Sequence, residues 1–373
     1  MSKYFTITPR DTLISRDGRP FGAGAGNRMR SLDWIQPSVA AGAFRTMVGK
    51  NWGGNFSSEE ISKLKNIQVW GPLPYWKEQL YFPKPADCVV RQDNGNVFTA
   101  RPCELEHGEG TDLPVGLKPV QIDATEDFKP AVTPQFWSTS AMERWLLQNQ
   151  GFTVPLNADN KEFIDLPQKD IRMHVKIDSE KNTSADGMLF QTTGLDFSKD
   201  HGAAVLQLAI QTDYSEGPLL SALDTLGGER RLVSWGETPD GGAKWVCPQR
   251  LSQALTDTKR VRMVLATPAI FSAGWKPGWL TNELTGRPPY CKDLELKLVG
   301  AAVSRWLPIS GWSLEKGKTG EKPVRRLVPA GSVYFFEVIR GNAQELASAW
   351  LTPVSDEKQD SNDGFGLSLW GIW

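Results

Sequence analysis

Apolar and polar residues alternate at the start of the chain, in "KYFTITPRD", where Phe5 and Ile7 face one way and Tyr4, Thr6 and Thr8 the other. The pattern predicts a short strand that stops at Pro9, a residue with no N–H to give a ladder. Residues 10–36 show no period and form a long connection rich in Gly and Arg. Helical spacing then sets in with "QPSVAAGAFRTMVGK". Ser38 is placed to cap, and Val39, Ala40, Ala43, Phe44, Met47 and Val48 make an apolar face. Ser38, Ala41, Gly42 and Arg45 share the other side of that helix. A phosphate approaching a helix N-terminus would suit this stripe, and so would close packing of small residues, although a guanidinium sits awkwardly in a dry seam.

Residues 70–136 carry many prolines and aromatics without a clear period, so an insertion is expected over about 50–136. "STSAMERWLLQNQ" (138–150) predicts a second helix. A second half begins near residue 166, giving an N-terminal domain over 1–165 and a C-terminal one over 166–373. In that half "IRMHVKID", "AAVLQLAIQT" and "RVRMVLATPAIF" read as strands, and "GPLLSALDTLGG" as a short helix. "GGERRLVSW" runs from a glycine turn into a strand, and "CPQRLSQALTD" is a short helix. Residues 310–339 form a hairpin with a polar tip near 315–322, and "NAQELASAWL" is a last helix capped by Asn342. The recurring order of strand, helix and strand predicts an α+β fold built twice on one plan.

Composition narrows the function classes. The 373 residues are 40% hydrophobic and 23% charged, enough for a full core, and no run is long and apolar enough for a membrane helix. The start of the chain lacks the apolar run of a signal peptide, so a cytoplasmic location is expected. Net charge is −1, which excludes a global basic field. Local balance differs: seven basic residues against three acidic ones between Arg10 and Lys50, and five against two between Glu315 and Arg326. Such patches suit a protein that meets an anionic polymer at one place.

Catalytic and cofactor signatures are sparse. The run "GAGAG" beside the arginines satisfies neither GxxxxGK[ST] nor GxGxxG, so no nucleotide cofactor is expected. The four cysteines and three histidines fall at no metal-ligand spacing, so no metal is expected either. His174 alternates with Arg172 and Lys176 on one strand face. That setting would suit a general base for metal-free RNA cleavage, and equally a residue that positions or stacks. Trp34, Trp235 and Trp275 lie beside Arg- or Gly-rich turns, where stacking on a base is reasonable and a place in the core more common.

Taken in order, "TPRDTLISRDGRPF", "PSVAAGAFRT", "HVKIDSEKNTSADGMLFQTTGLDF", "LGGERRLVSW", "AGSVYFFEV" and "GFGLSLWGIW" resemble the third Cmr protein family. That family belongs to the RAMP superfamily and supplies a subunit of type III-B CRISPR effector complexes. The likeness runs from residue 4 to the end and is weakest between about 50 and 165.

The resemblance implies two ferredoxin-like (RRM-type) domains with glycine-rich loops. It implies a non-catalytic subunit that holds the 5′ repeat-derived tag of the CRISPR RNA. Its partners would be the large polymerase-like subunit and the backbone subunits, with no membrane and no direct DNA contact. Carried onto this sequence, the RNA-facing set is Arg16, Arg19, Arg28, Arg30, Ser38, Arg45, His174, Gly227, Gly228, Arg230, Arg231, Gly364 and Gly366, with Asp17 holding an arginine in place. Lys318, Arg325 and Arg326 would face RNA or a partner protein. No RNP signature of sheet-face aromatics is present, so loops are expected to do the binding. The competing expectation is a metal-independent RAMP endoribonuclease with His174 as its base.

Overall fold

The computed structural model describes residues 2–16, 28–124, 126–132, 134–148, 152–155, 160–199, 204–215, 222–239, 241–313 and 320–373. The architecture is mixed α/β, mostly strands with few helices. Lys3–Pro9 forms as the alternation predicts, and its Phe5 and Ile7 are fully buried. It pairs antiparallel on one side with Gln207–Thr212 and on the other with Arg231–Glu237. Val69–Trp76 pairs beyond Gln207–Thr212, so four strands stand in the chain order fourth, first, third, second. Ala222–Leu226 extends one edge, and Gln79–Pro83, Phe136–Ser138 and Phe163–Ile164 extend the other.

The helix Pro37–Asn51 lies on this first sheet because its apolar face meets the inward strand residues. The Phe44 ring stands 5.4 Å from Phe5 and 5.9 Å from Trp235, centroid to centroid. Gln36 occupies the cap and Pro37 the first turn, so Ser38 sits one position inside the helix and does not cap it.

The second sheet repeats the order. Arg260–Leu265, Glu295–Ala302, Val333–Arg340 and Ser368–Ile372 again stand as fourth, first, third, second, all antiparallel, with Thr285–Gly286 on the edge. A continuous core of Leu73, Phe82, Trp137, Trp145, Val264, Phe335 and Leu369 joins the sheets. Inside it, the fully buried Arg262 donates to Asp87 and to the Trp145 carbonyl, and Trp145 Nε1 donates to Asp87 at 2.9 Å. A buried ion pair of this kind is satisfied only when every partner is present.

Three expectations change. The break between sheets falls between Glu237 and Arg260, not at 165/166, because Lys3–Pro9 needs a strand on each side and takes both from beyond residue 200. The insertion is narrower than 50–136. The helix Ser58–Asn66 and the strand Val69–Trp76 belong to the core layers, and only residues between Pro83 and Phe136 leave them, as the short pairs Cys88–Val90 with Val97–Thr99 and Arg101–Pro102 with Val120–Gln121. Ala222–Leu226 is a strand rather than part of a helix. Its Asp224 accepts from Lys50 Nζ at 2.7 and 2.8 Å, and its pairing with Arg231–Glu237 outweighs the local helical spacing.

Candidate nucleic-acid interface

Three segments far apart in sequence meet at one place. Leu13 exchanges backbone hydrogen bonds with Leu195 at 3.0 and 2.7 Å, and the Ile14 carbonyl accepts from Gly228 N–H at 2.8 Å. Leu32 N–H donates to the Ser15 carbonyl at 2.6 Å, and Met29 N–H to the Gln191 carbonyl at 2.8 Å. Residues 12–16 therefore run between the base of the ribbon Gln168–Asp196 and the turn at 227–230, with 28–32 alongside.

The sequence produces this seam by alternation and by glycine. Leu13, Ile14 and Met29 are buried and hold the segments down, while Arg16, Arg28 and Arg30 point out. Gly227 has φ +75°, and a Cβ there would stand 2.5 Å from the Ile14 carbonyl oxygen, so a larger residue would push the segments apart.

The exposed edge of the seam is basic. Arg28, Arg30, Arg230 and Lys176 are exposed and make no hydrogen bond or ion pair through their side chains among the described residues. Arg231 is tied down: its guanidinium donates to Asp11 at 2.7 Å and to Glu229 at 2.8 Å. The hydrogen bond from Arg231 holds the Asp11 carboxyl below the usual carboxylate range. Arg172 is paired in the same way with Asp170 at 2.6 Å. His174 alternates with Arg172 along the ribbon, stacks on Phe190 at 5.3 Å and meets Thr192 Oγ1 at 2.7 Å, and Lys176 falls at the irregularity between Val175 and Ile177. No group of three His, Cys, Asp or Glu side chains placed to hold a metal occurs among the described residues.

The remaining candidates lie elsewhere. Arg45 is buried: its guanidinium donates to the Ile67 carbonyl at 3.1 and 2.7 Å, to the Asn362 carbonyl at 3.0 Å, and to Asp363. Of the stripe Ser38, Ala41, Gly42 and Arg45, Ala41 and Arg45 are buried, Ser38 is half-buried and Gly42 is exposed, and the cation has an acidic partner. Gly364 and Gly366 are buried too. A Cβ on Gly364 would stand 2.7 Å from the Val69 carbonyl oxygen, and one on Gly366 would stand 2.7 Å from Ser355 Oγ. Gly364 lets the C-terminal loop press on the first sheet, and Gly366 lets it close on the segment at 354–355. Arg325 grips Asp360 with two bonds of 2.7 and 2.5 Å, and Arg326 lies over the Trp306 ring at 4.8 Å. Trp235 is fully buried, and Trp34 donates from its indole to the Pro72 carbonyl at 3.0 Å. Asp17, Arg19, Lys318 and the "GAGAG" run lie outside the described residues.

Sequence reasoning missed the far face of the ribbon. Ile171, Met173, Val175 and Ile177 alternate with the polar row and are all exposed, as is Leu189 across from Val175. The alternation was visible, but a half-buried strand and an uncovered ribbon share the same pattern.

Residues 5–373 match the protein-family model described as CRISPR-associated protein (Cas_Cmr3). No curated protein matches the chain. Among solved structures, the chain is similar to one in a cryo-EM structure of the type III-B Cmr-beta complex bound to cognate target RNA. Identity is 12%, with 89% of this chain and 86% of that one covered and a TM-score of 0.49. A second such complex, bound to cognate target RNA and AMPPnP, gives 13%, the same coverage and 0.48. A chain in the Csm3–Csm4 subcomplex of the type III-A interference complex gives 12%, 91% and 94% coverage, and 0.38.

Proposed function

The chain belongs to the Cas_Cmr3 family of CRISPR-associated proteins, and on that premise we propose that it is a non-catalytic RNA-binding subunit of a type III-B CRISPR effector complex. In this reading it holds the 5′ repeat-derived tag of the guide RNA. The carrying observation is the seam itself. Backbone hydrogen bonds gather Arg16, Arg28, Arg30, His174, Lys176 and Arg230 from three segments into one exposed basic edge, on a protein whose net charge is −1. The guanidinium groups of Arg28, Arg30 and Arg230, which make no side-chain bond among the described residues, keep their donors for phosphate oxygens, and forked contacts are the strong ones. The Gly228 N–H is bonded within the protein, so its backbone shapes the site rather than touching RNA. Arg231, restrained by two carboxylates, acts as a brace for the turn.

The repeated strand order supports reading the two sheets as ferredoxin-like units of the RAMP type. The chain would dock against the large polymerase-like subunit and the backbone subunits. His174 is a stacking and positioning residue in this account, since its ring meets a hydroxyl and a phenyl group and no carboxylate.

The test is the salt dependence of tag binding. Each phosphate contact on a single strand contributes about 0.7 to the slope of log affinity against log salt. Replacing Arg28, Arg30 and Arg230 by Ala is expected to reduce the slope by about 2. An unchanged slope in the folded triple variant would remove the seam as the RNA site.

A further inference from the structure

The insertion and the second sheet enclose a cleft of about 1360 Å3 that shares no residue with the basic seam. Its floor is apolar, with Val89, Leu117, Val120, Ala301, Leu327 and Val328. Trp306 stands at its rim, 45% exposed, with the Arg326 guanidinium covering one ring face at 4.8 Å and so fixing its orientation. Leu113 on the opposite wall is 39% exposed, and Val115 just beyond it is 99% exposed.

The two walls differ in charge. The wall opposite the insertion carries Arg305 and Arg326, both exposed and without an ion pair among the described residues. The insertion wall carries Asp112, and its one cation, Lys118, is neutralised by Glu104 at 2.5 Å.

An apolar trough with a preset tryptophan and arginine has the composition of a protein-interface anchor. The floor is apolar and the two sides carry opposite charge, which matches an amphipathic protein segment better than a uniformly anionic phosphate backbone. We propose that this cleft is the docking site for an amphipathic segment of a neighbouring protein subunit. That segment places apolar side chains between Trp306 and Leu113, a basic residue against Asp112 and an acidic residue against Arg305. The proposal rests on the chain being a subunit of a larger assembly, and it makes Arg326 a protein contact rather than an RNA contact.

The experiment uses the effector complex reconstituted with its guide RNA. Hydrogen exchange of residues 111–122 and 301–306 is compared between the free chain and the complex, and ultraviolet crosslinking reports which peptides touch RNA. Protection of both segments without an RNA crosslink to either is expected. Absence of protection, or an RNA crosslink to 301–306, would overturn the proposal. Leu113→Glu and Arg305→Glu alter exposed side chains, so the free protein should keep its melting temperature while its incorporation weakens by about tenfold or more. Normal incorporation of both variants would also overturn it. Crosslinks at residues 28–31 are read in the same sample, so loss of the tag reading and loss of the cleft proposal are distinguishable.

Discussion

Arg45→Ala separates a structural arginine from an RNA-binding one. In the folded chain Arg45 bonds to the carboxylate of Asp363 and to the carbonyls of Ile67 and Asn362, and the side chains of Arg45 and Asp363 are only 9% and 14% exposed. Truncation leaves a shielded carboxylate without its cation and two carbonyls without a donor. Removing one partner of such a pair costs about 3–5 kcal/mol. Each kcal/mol shifts the melting temperature by about 2 °C in a chain of this length, so a drop of about 6–10 °C is expected. The helix Pro37–Asn51 and the loop 362–366 should lose hydrogen-exchange protection together, since Arg45 is what links them. At a temperature well below the transition, the salt slope of tag binding should equal that of the unaltered protein. An unchanged melting temperature together with a smaller salt slope would refute this reasoning and return Arg45 to the RNA site.

Gly227→Ala is expected to destabilise by more than about 1 kcal/mol and to weaken tag binding, because its Cβ would strike the Ile14 carbonyl; a thermal melt and a binding titration measure both. Asp11→Asn frees Arg231 from one of its two carboxylates, so tag affinity at neutral pH should rise slightly, as read by fluorescence anisotropy. Because the Asp11 pKa is lowered in the fold, its stabilising contribution is present above about pH 4 and is lost as the pH falls through the lowered value. Following the Asp11 carboxyl signal by NMR against pH should therefore give a midpoint below the ordinary aspartate value. The purified chain incubated with repeat RNA in EDTA should produce no cleavage, and a cut abolished by His174→Ala would establish the endonuclease reading instead.

The parts of the fold legible in sequence are those whose pattern is local. Phe5 and Ile7 declare a strand, and Phe44, Met47 and Val48 declare a helix face, because alternation and helical spacing need only neighbours. The strand Ala222–Leu226 was misread because its partner strand, not its own spacing, decides its conformation. Arg45 was ambiguous because its counter-charge, Asp363, is 318 residues away. Gly364 and Gly366 look like a ligand loop in sequence, yet a glycine that admits a ligand backbone and one that admits the protein's own backbone are the same residue. Arg28 and Arg30 entered through the family resemblance, and the structure shows why they stand out: Met29 between them is buried. Their meeting with Arg230 depends on the bonds of Ile14 and Gln191 and is visible only in three dimensions.

The most direct test of the central claim is photocrosslinking in the assembled complex, with a photoreactive nucleotide placed in the 5′ tag of the guide RNA and the attached peptides identified by mass spectrometry. The account predicts attachment within residues 28–31, the 168–196 ribbon and the 227–231 turn. Attachment confined to the helix Pro37–Asn51, the 364–366 loop or the second sheet would contradict it.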